Sequence, residues 1–416
     1  MKLARIAYNA ALAGLLPYAL LHPLWRSRRQ PGYLAHFQER FGSYPDVGPT
    51  PLIWMHAVSV GETRAAEPLA RVLLERHPGH RLLLTQMTPT GRATARSLYD
   101  DHALVAYLPY DYPFAVRRFL DHFRPAVGVL METEIWFNLI HACRDRGLPL
   151  YLANARLSER SCRRYARFPA LVGEGLRSLA GIAAQSDADA ARLRRLGAPS
   201  VTVTGSVKFD VPPPPEMLER GRALRASFGR ARPVFVAAST RDGEESLVLD
   251  ALAAMHVPDL LLVLIPRHPQ RFDAVEALLR ARGVRYQRRT QGGSVAAGTR
   301  VVLGDSMGEL FAYYAAGDVA FVGGSLLPFG GQNLIEPMAV GRPVLIGPHM
   351  FNFADTAERA LSDGAAIAVA NAGELAAAAS RLLQDATVRE TCAAAGARFV
   401  AAYRGATART ADLIRF

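Results

Sequence analysis

Short apolar runs alternate with amphipathic stretches along most of this chain. "PLIWMHAV", "RLLLTQ", "ALVAYLP", "AVGVLME" and "PLYLANA" have the length and bounding residues of strands. Between them, "RAAEPLARVLLERH" and "AVRRFLDHF" space their apolar residues for one face of a helix. Strands and helices in strict alternation predict βαβ units wound into a parallel sheet. "GIAAQS" and "VTVTGS" continue the scheme.

The pattern then breaks at "KFDVPPPPEML". Four consecutive prolines, Pro212 to Pro215, fit neither a strand nor a helix interior and read as a stiff linker. Beyond them the alternation restarts with "PVFVAAST", "LLLVLIPRHP", "RVVLGDS", "DVAFVGGS", "RPVLIG" and "AAIAVA". A chain of 416 residues is too long for one ordinary core. We therefore expect two Rossmann-like halves, residues 31–210 and 211–416, with ligands at the carboxyl ends of the strands and the active site in a central cleft. No GxGxxG follows the first strand and there is no GxxxxGK[ST], which argues against a dehydrogenase or a P-loop enzyme. Two such halves without those loops point to the GT-B architecture of nucleotide-sugar glycosyltransferases.

Residues 1–30 are different. From Ile6 to Trp25 there is no charge, with Lys2 and Arg5 before the segment and Arg26, Arg28 and Arg29 after it. The length just suffices to span a bilayer, but Asn9, Pro17 and His22 weaken a spanning helix. An anchor lying in the cytoplasmic leaflet, with Tyr18 and Trp25 at the interface, is the preferred reading; a buried amphipathic helix is its rival.

Charge changes the picture modestly. A net charge of +12 favours anionic partners, yet the basic residues form no long run and no nucleic-acid motif is present, so nucleic acid is not an expected partner. Lys2 and Lys208 are the only lysines, which makes Lys208 notable even against chance survival. Cys143, Cys162 and Cys392 are too scattered for a disulfide framework or a zinc site.

Candidate chemistry gathers at strand ends. Ser59-Val60-Gly61-Glu62 matches a capping box, in which Glu62 would reach back to the Ser59 amide. Glu62 also stands where a general base would be needed to deprotonate an acceptor hydroxyl. Glu132 and Glu134 follow a later strand, where one can cap the next helix and the other serve the site. "TPTG" is a turn whose amides can hold an anion, or a plain loop. Arg267 and His268 end an apolar strand as cations suited to a phosphate. "GDSMGEL" and "GGSLLPFGGQNLIEP" let backbone approach a ligand, and Glu336 can accept bonds from ribose hydroxyls. "RSCRRYARF" contacts lipid or forms a solvated helix, with the second slightly favoured.

Taken together, "HAVSVGET", "TPTG", "LPYD", "METEIW", "NARLS", "VTGSVKFD", "GEES", "PRHPQRF", "GDSMGEL", "AFVGGS", "NLIEP" and "GPHMFNF" run in order and resemble the 3-deoxy-D-manno-octulosonic acid (Kdo) transferases. The resemblance implies two Rossmann-like domains, the first binding acceptor and the second the donor, tied to the cytoplasmic face of the inner membrane. It implies inverting, metal-independent transfer of Kdo from CMP-Kdo onto the anionic lipid A precursor (lipid IVA), with no cofactor. By motif match Glu62 is the general base, and Glu132 and Lys208 stabilise the transition state. Pro266, Arg267, Met307, Gly308, Glu309, Asn333, Leu334, Ile335 and Glu336 would contact CMP. The chain departs from the family twice. Gln332 stands where "GGHN" has His, and Phe137 where "ELWPN" has Pro. The competing expectations are a two-domain transferase using a UDP-sugar, and a membrane-bound nucleotide-sugar sensor that transfers nothing.

Overall fold

A computed structural model describes residues 2–28, 31–99 and 102–416. Arg29, one of the expected flanking cations, lies outside the described residues. The chain divides into two compact units. The first comprises residues 1–211 together with 404–416, and the second residues 212–403.

The first unit holds a seven-stranded parallel sheet. Its strands are β1 (Leu52–His56), β2 (Arg81–Gln86), β3 (Ala103–Tyr107), β4 (Val127–Met131), β5 (Leu150–Ala155), β6 (Gly181–Ala184) and β7 (Thr202–Val203), in the order β3-β2-β1-β4-β5-β6-β7. β1 and β4 are buried along their whole length because helices cover both faces. After β3 the chain returns to the other side of β1. The order therefore reverses between β1 and β4, where ligands of open α/β sheets bind. Helix α3 (Val60–Arg76) follows β1, and α6 (Phe137–Asp145) follows β4.

The second unit repeats the plan. Strands β8 (Val234–Thr240), β9 (Leu261–Pro266), β10 (Tyr286–Arg288), β11 (Val301–Leu303), β12 (Val319–Val322), β13 (Val344–Ile346) and β14 (Ala366–Ala368) form a parallel sheet in the order β10-β11-β9-β8-β12-β13-β14. Here the reversal lies between β8 and β12. The proline run does not stay a linker throughout: Pro214 stands at the N-cap position of α10 (Pro215–Phe228) without a side-chain cap, and Pro215 takes its first turn, where a missing N–H costs nothing.

Two expectations are corrected. The second half does not extend to residue 416, because α18 (Ala406–Leu413) returns to the first unit. Asp210 accepts the Gly405 and Thr407 amides, both at 2.6 Å, and Ala411 and Ile414 join the core cluster of β1 and α3. The N-terminal segment is two helices, α1 (Lys2–Gly14) and α2 (Leu16–Ser27), bent by 43°. Pro17, in the first turn of α2, has no amide to continue the α1 ladder, so the helix breaks there. Among the described residues no single helix is long and apolar enough to cross a membrane, though the bent pair meets that test by length and composition. One side of α1 docks on the first unit: the Tyr8 hydroxyl donates to Asp111 Oδ2 at 2.8 Å, and Asn138 Nδ2 donates to Asn9 at 2.7 Å. Leu3, Ile6, Leu15, Tyr18, Leu21, Leu24 and Trp25 remain exposed.

Candidate active site

Glu62 lies in the first turn of α3, just beyond β1. Ser59 caps the helix, accepting the Glu62 amide at 3.3 Å. The carboxylate closes the cap differently from the expected box. It accepts the Val58 amide at 2.8 Å and the Ser59 hydroxyl at 3.0 Å, and does not take the Ser59 amide. Burial pushes the Glu62 carboxyl up to about 7, with Glu132 and Glu134 adding repulsion and the two hydrogen bonds opposing. One side chain therefore both closes the helix cap and carries a carboxyl raised to near neutrality.

Glu132 leaves the end of β4, across the sheet reversal from Glu62. It is buried and adopts a left-handed φ of 58°, a conformation that costs a non-glycine residue free energy and is held by surrounding bonds. Its amide donates to Ala153 on β5 at 2.9 Å. Lys208 Nζ meets its Oε1 at 2.6 Å. Burial alone would raise the Glu132 carboxyl, but Lys208, with Arg156 beyond it, outweighs that and holds it below its ordinary value. Glu134 turns instead to Trp136, accepting the indole N–H at 2.6 Å, and burial raises its pKa. The helix cap expected of these carboxylates comes from elsewhere. Asp111, in "LPYD", accepts the Asn138 and Leu139 amides at the start of α6, each at 2.9 Å.

Lys208 sits on a 3-10 turn, Val207–Asp210. Asn154, itself at a φ of 53°, accepts the Val207 amide at 3.2 Å and so ties this turn to the end of β5. Asn154 lies in "NARLS", where nothing in the local sequence points to this task. The long-range bond to Val207 leaves no local signature. "TPTG" behaves as a plain helix start: Thr88 Oγ1 accepts the Gly91 amide at 3.1 Å and donates to the Val58 carbonyl at 3.2 Å.

In the second unit the expected donor residues follow the ends of β9, β11 and β12. Arg267 follows β9, its amide on the Thr240 carbonyl and its Nε on Gln332 Oε1 at 3.2 Å. Gln332, in the place of the family's His, is thus an acceptor for Arg267. His268 is not the second cation expected: burial, then Arg241, Arg267 and Arg271, push its pKa down, so it is neutral near pH 7. Glu309 is held by Arg220 at 2.9 Å, Arg289 at 3.4 Å and the Ser306 hydroxyl, while Met307 is exposed beside it. Gly308 has a φ of 81°, which only glycine adopts freely. Asn333 Oδ1 accepts the Ile335 amide at 3.1 Å and its Nδ2 donates to Glu336 at 3.0 Å. The side chains of Leu334 and Ile335 are buried, so those two residues offer a ligand only their backbone. No group of three or more His, Cys, Asp or Glu placed to hold a metal ion occurs among the described residues.

Comparison with solved structures defines the class. UDP-GlcNAc 2-epimerase from Neisseria meningitidis, bound to UDP-GlcNAc, matches 87% of this chain and 99% of its own with a TM-score of 0.60 at 13% identity. Anabaena Alr3699/HepE in complex with UDP-glucose matches 87% of this chain and 98% of its own with a TM-score of 0.61 at 15% identity. At such identities the likeness concerns the fold, and that fold is GT-B-like. Sequence gives the family. Residues 35–211 match the N-terminal glycosyltransferase family described as 3-deoxy-D-manno-octulosonic-acid transferase. The 3-deoxy-D-manno-octulosonic acid transferase of Bordetella pertussis is 44% identical over 99% of both chains. That of Haemophilus influenzae is 37% identical over 99% of this chain and 98% of its own. The chain belongs to the Kdo transferases: it is a glycosyltransferase that adds Kdo in lipopolysaccharide synthesis.

Proposed function

We propose that the chain transfers Kdo from CMP-Kdo to a hydroxyl of the lipid A precursor, with Glu62 as general base and inversion at the anomeric carbon. The observation that carries this reading is the Glu62 carboxylate, fixed by Val58 and Ser59 and titrating at about 7. Such a group is ionised often enough at neutral pH to act and basic enough to accept a proton as the acceptor oxygen attacks. The proton passes to Glu62, the new C–O bond forms at the anomeric carbon, and the bond to CMP breaks with its electrons on the phosphate. Glu132 and Lys208, locked together at 2.6 Å, provide oriented charge close to the base.

Donor contacts fall to the second unit. Arg267 meets the single phosphate of CMP, with main chain from Met307 to Glu309 and Asn333 to Glu336 taking the remaining polar groups. Pro266 closes β9 immediately before Arg267 and fixes where that side chain leaves the sheet. The exposed apolar side chains of α1 and α2 suit contact with the cytoplasmic leaflet of the inner membrane, where an anionic lipid acceptor resides.

The test is Kdo transfer from CMP-Kdo to lipid A precursor by wild type and Glu62→Gln. A loss of about 10²–10⁴-fold in a folded variant is expected of a missing general base. Near-wild-type transfer by the variant would reduce Glu62 to a helix cap.

A further inference from the structure

Glu244 is fully buried, in "GEES" at the start of α11 (Glu244–Ala254), a motif to which neither the family resemblance nor the reaction assigns a task. Its carboxylate gathers backbone donors from both sides of the β8–β12 reversal. Oε2 accepts the Arg241 amide at 2.9 Å, from the loop after β8, and the Gly324 amide at 2.5 Å, from the loop after β12. Oε1 accepts Leu326 at 2.9 Å and Leu327 at 3.5 Å. The Gly324, Leu326 and Leu327 bonds cross 80 to 83 residues of sequence, and the Gly324 and Leu326 amides are buried, where an unpaired donor is costly.

The loop so held leads directly to the donor contacts. Gly331 donates to the Gly324 carbonyl at 2.6 Å, and the next residue, Gln332, receives Arg267 Nε at 3.2 Å. On the other flank Arg241 lays its guanidinium over the Phe329 ring at 4.8 Å. The approach is too close for ordinary residues. A Cβ on Gly323 would come within 2.7 Å of the Ser239 carbonyl and Thr240 Cα, and Ser239 beside it has a left-handed φ of 60°. Two strand ends pressed together this tightly need a fixed acceptor between them, and a buried carboxylate satisfied by four amides supplies one.

We infer that Glu244 is a positioning residue for the donor. It acts through backbone amides to hold the Gly324–Leu327 turn, and through that turn the Gln332–Arg267 contact, in the geometry that receives the CMP phosphate. The inference rests on the CMP-Kdo donor reading.

The test uses the full-length chain as wild type, Glu244→Gln and Glu244→Asp. It measures CMP affinity by calorimetry, kcat and KM for CMP-Kdo and for the lipid acceptor, and melting temperature. Gln keeps the shape but loses one acceptor, and Asp is too short to reach both flanks. The expected result is a rise of tenfold or more in the CMP Kd and in the donor KM. The acceptor KM and the kcat at saturating donor should stay within about threefold, with Gln the milder variant. A fall in melting temperature with donor KM and CMP Kd unchanged would overturn the inference and leave Glu244 a fold element only. Amide hydrogen exchange on the wild type tests it should the variants not fold: the Gly324 and Leu326 amides must be protected without CMP, and rapid exchange there overturns it. A wild type that binds no CMP overturns the donor reading and this inference together. Binding retained equally by all three chains overturns this inference alone.

Discussion

Lys208 Nζ lies 2.6 Å from Glu132 Oε1, and both residues belong to the first unit although 76 positions separate them. The pair is largely shielded from water, with side-chain exposures of 17% and 9%. Breaking such a pair from one side leaves an uncompensated charge and costs about 3 kcal/mol or more. Lys208→Met is therefore expected to lower the unfolding free energy by about that amount, and to raise the Glu132 carboxyl that Lys208 now holds down. The sign of the pH dependence follows. Because the folded pKa lies below the ordinary value of 4.5, the pair's stability is fully present above that value and is lost as pH falls through the folded one. In denaturant melts of wild type and Lys208→Met, the gap present at pH 7 should narrow as the pH is lowered stepwise below 4.5. A constant gap would show that the ion pair contributes nothing.

The Glu62 carboxyl predicts an acid limb in the rate. As a base it must be ionised, so kcat/KM for the acceptor should rise with pH, reach half its plateau near 7 and level off above that. Burial is the main cause of its raised value and Glu132 the next. Glu132→Gln removes that repulsion and frees the Lys208 ammonium, so the residual activity should show its limb at lower pH. A limb that stays in place would separate the two carboxylates electrostatically. For folding the sign is opposite to that of Glu132. The folded chain keeps a proton that the unfolded chain releases, so Glu62 lowers stability as pH rises from about 4.5 to 7. Glu62→Gln should flatten that slope.

Much of this was legible from the sequence, and the misses share a cause. β2 was read to the residue and β8 within one, because buried parallel strands are continuous apolar runs. β10, three residues with two polar members, left no such trace. The Ser59–Glu62 cap was visible because its members are three apart; that the carboxylate would choose the Val58 amide was not, since both amides are within reach. The tasks of Asn154, Asp111 and Glu244 were hidden for a physical reason. Each side chain bonds a backbone amide 27 to 82 residues away, and only the sheet order brings those amides near. The return of α18 to the first unit depends in the same way on Asp210 meeting Gly405.

Gln332 gives the proposed donor site its own prediction. It accepts from Arg267, and a neutral His can do the same through a ring nitrogen lone pair. Gln332→His, with Arg267 beside it disfavouring the imidazolium, should leave CMP affinity within about threefold at pH 8. Gln332→Glu should instead pair with the Arg267 charge, repel the phosphate and weaken CMP binding by about tenfold or more. Arg267→Ala should cost about 10- to 100-fold, the worth of a charge-assisted hydrogen bond. Calorimetric titration with CMP orders the variants, and equal affinity across the series would remove Arg267 from the donor site.

In the N-terminal helices the residues that dock on the first unit are distinct from the exposed apolar ones proposed to meet the membrane. Tyr8 and Asn9 bond to Asp111 and Asn138, and the Tyr112 hydroxyl donates to the Leu12 carbonyl at 3.0 Å, so α1 is held to the first unit by polar groups. Leu21 and Trp25 point away from those bonds into solvent, at 62% and 58% exposure. Moving two such side chains from a lipid surface to water costs about 3 kcal/mol, or a factor of roughly 10² in partition. Leu21→Ser with Trp25→Ser should therefore lower co-flotation with vesicles containing anionic lipid by about that factor while leaving the melting temperature in detergent unchanged. Tyr8→Phe should do the reverse. It leaves the apolar face intact but takes a donor from the buried Asp111 carboxyl, already raised to about 6 chiefly by burial, and so should lower thermal stability without releasing the protein from vesicles. If the double Ser variant floats as well as wild type, the exposed leucines and tryptophan are not what meets the membrane.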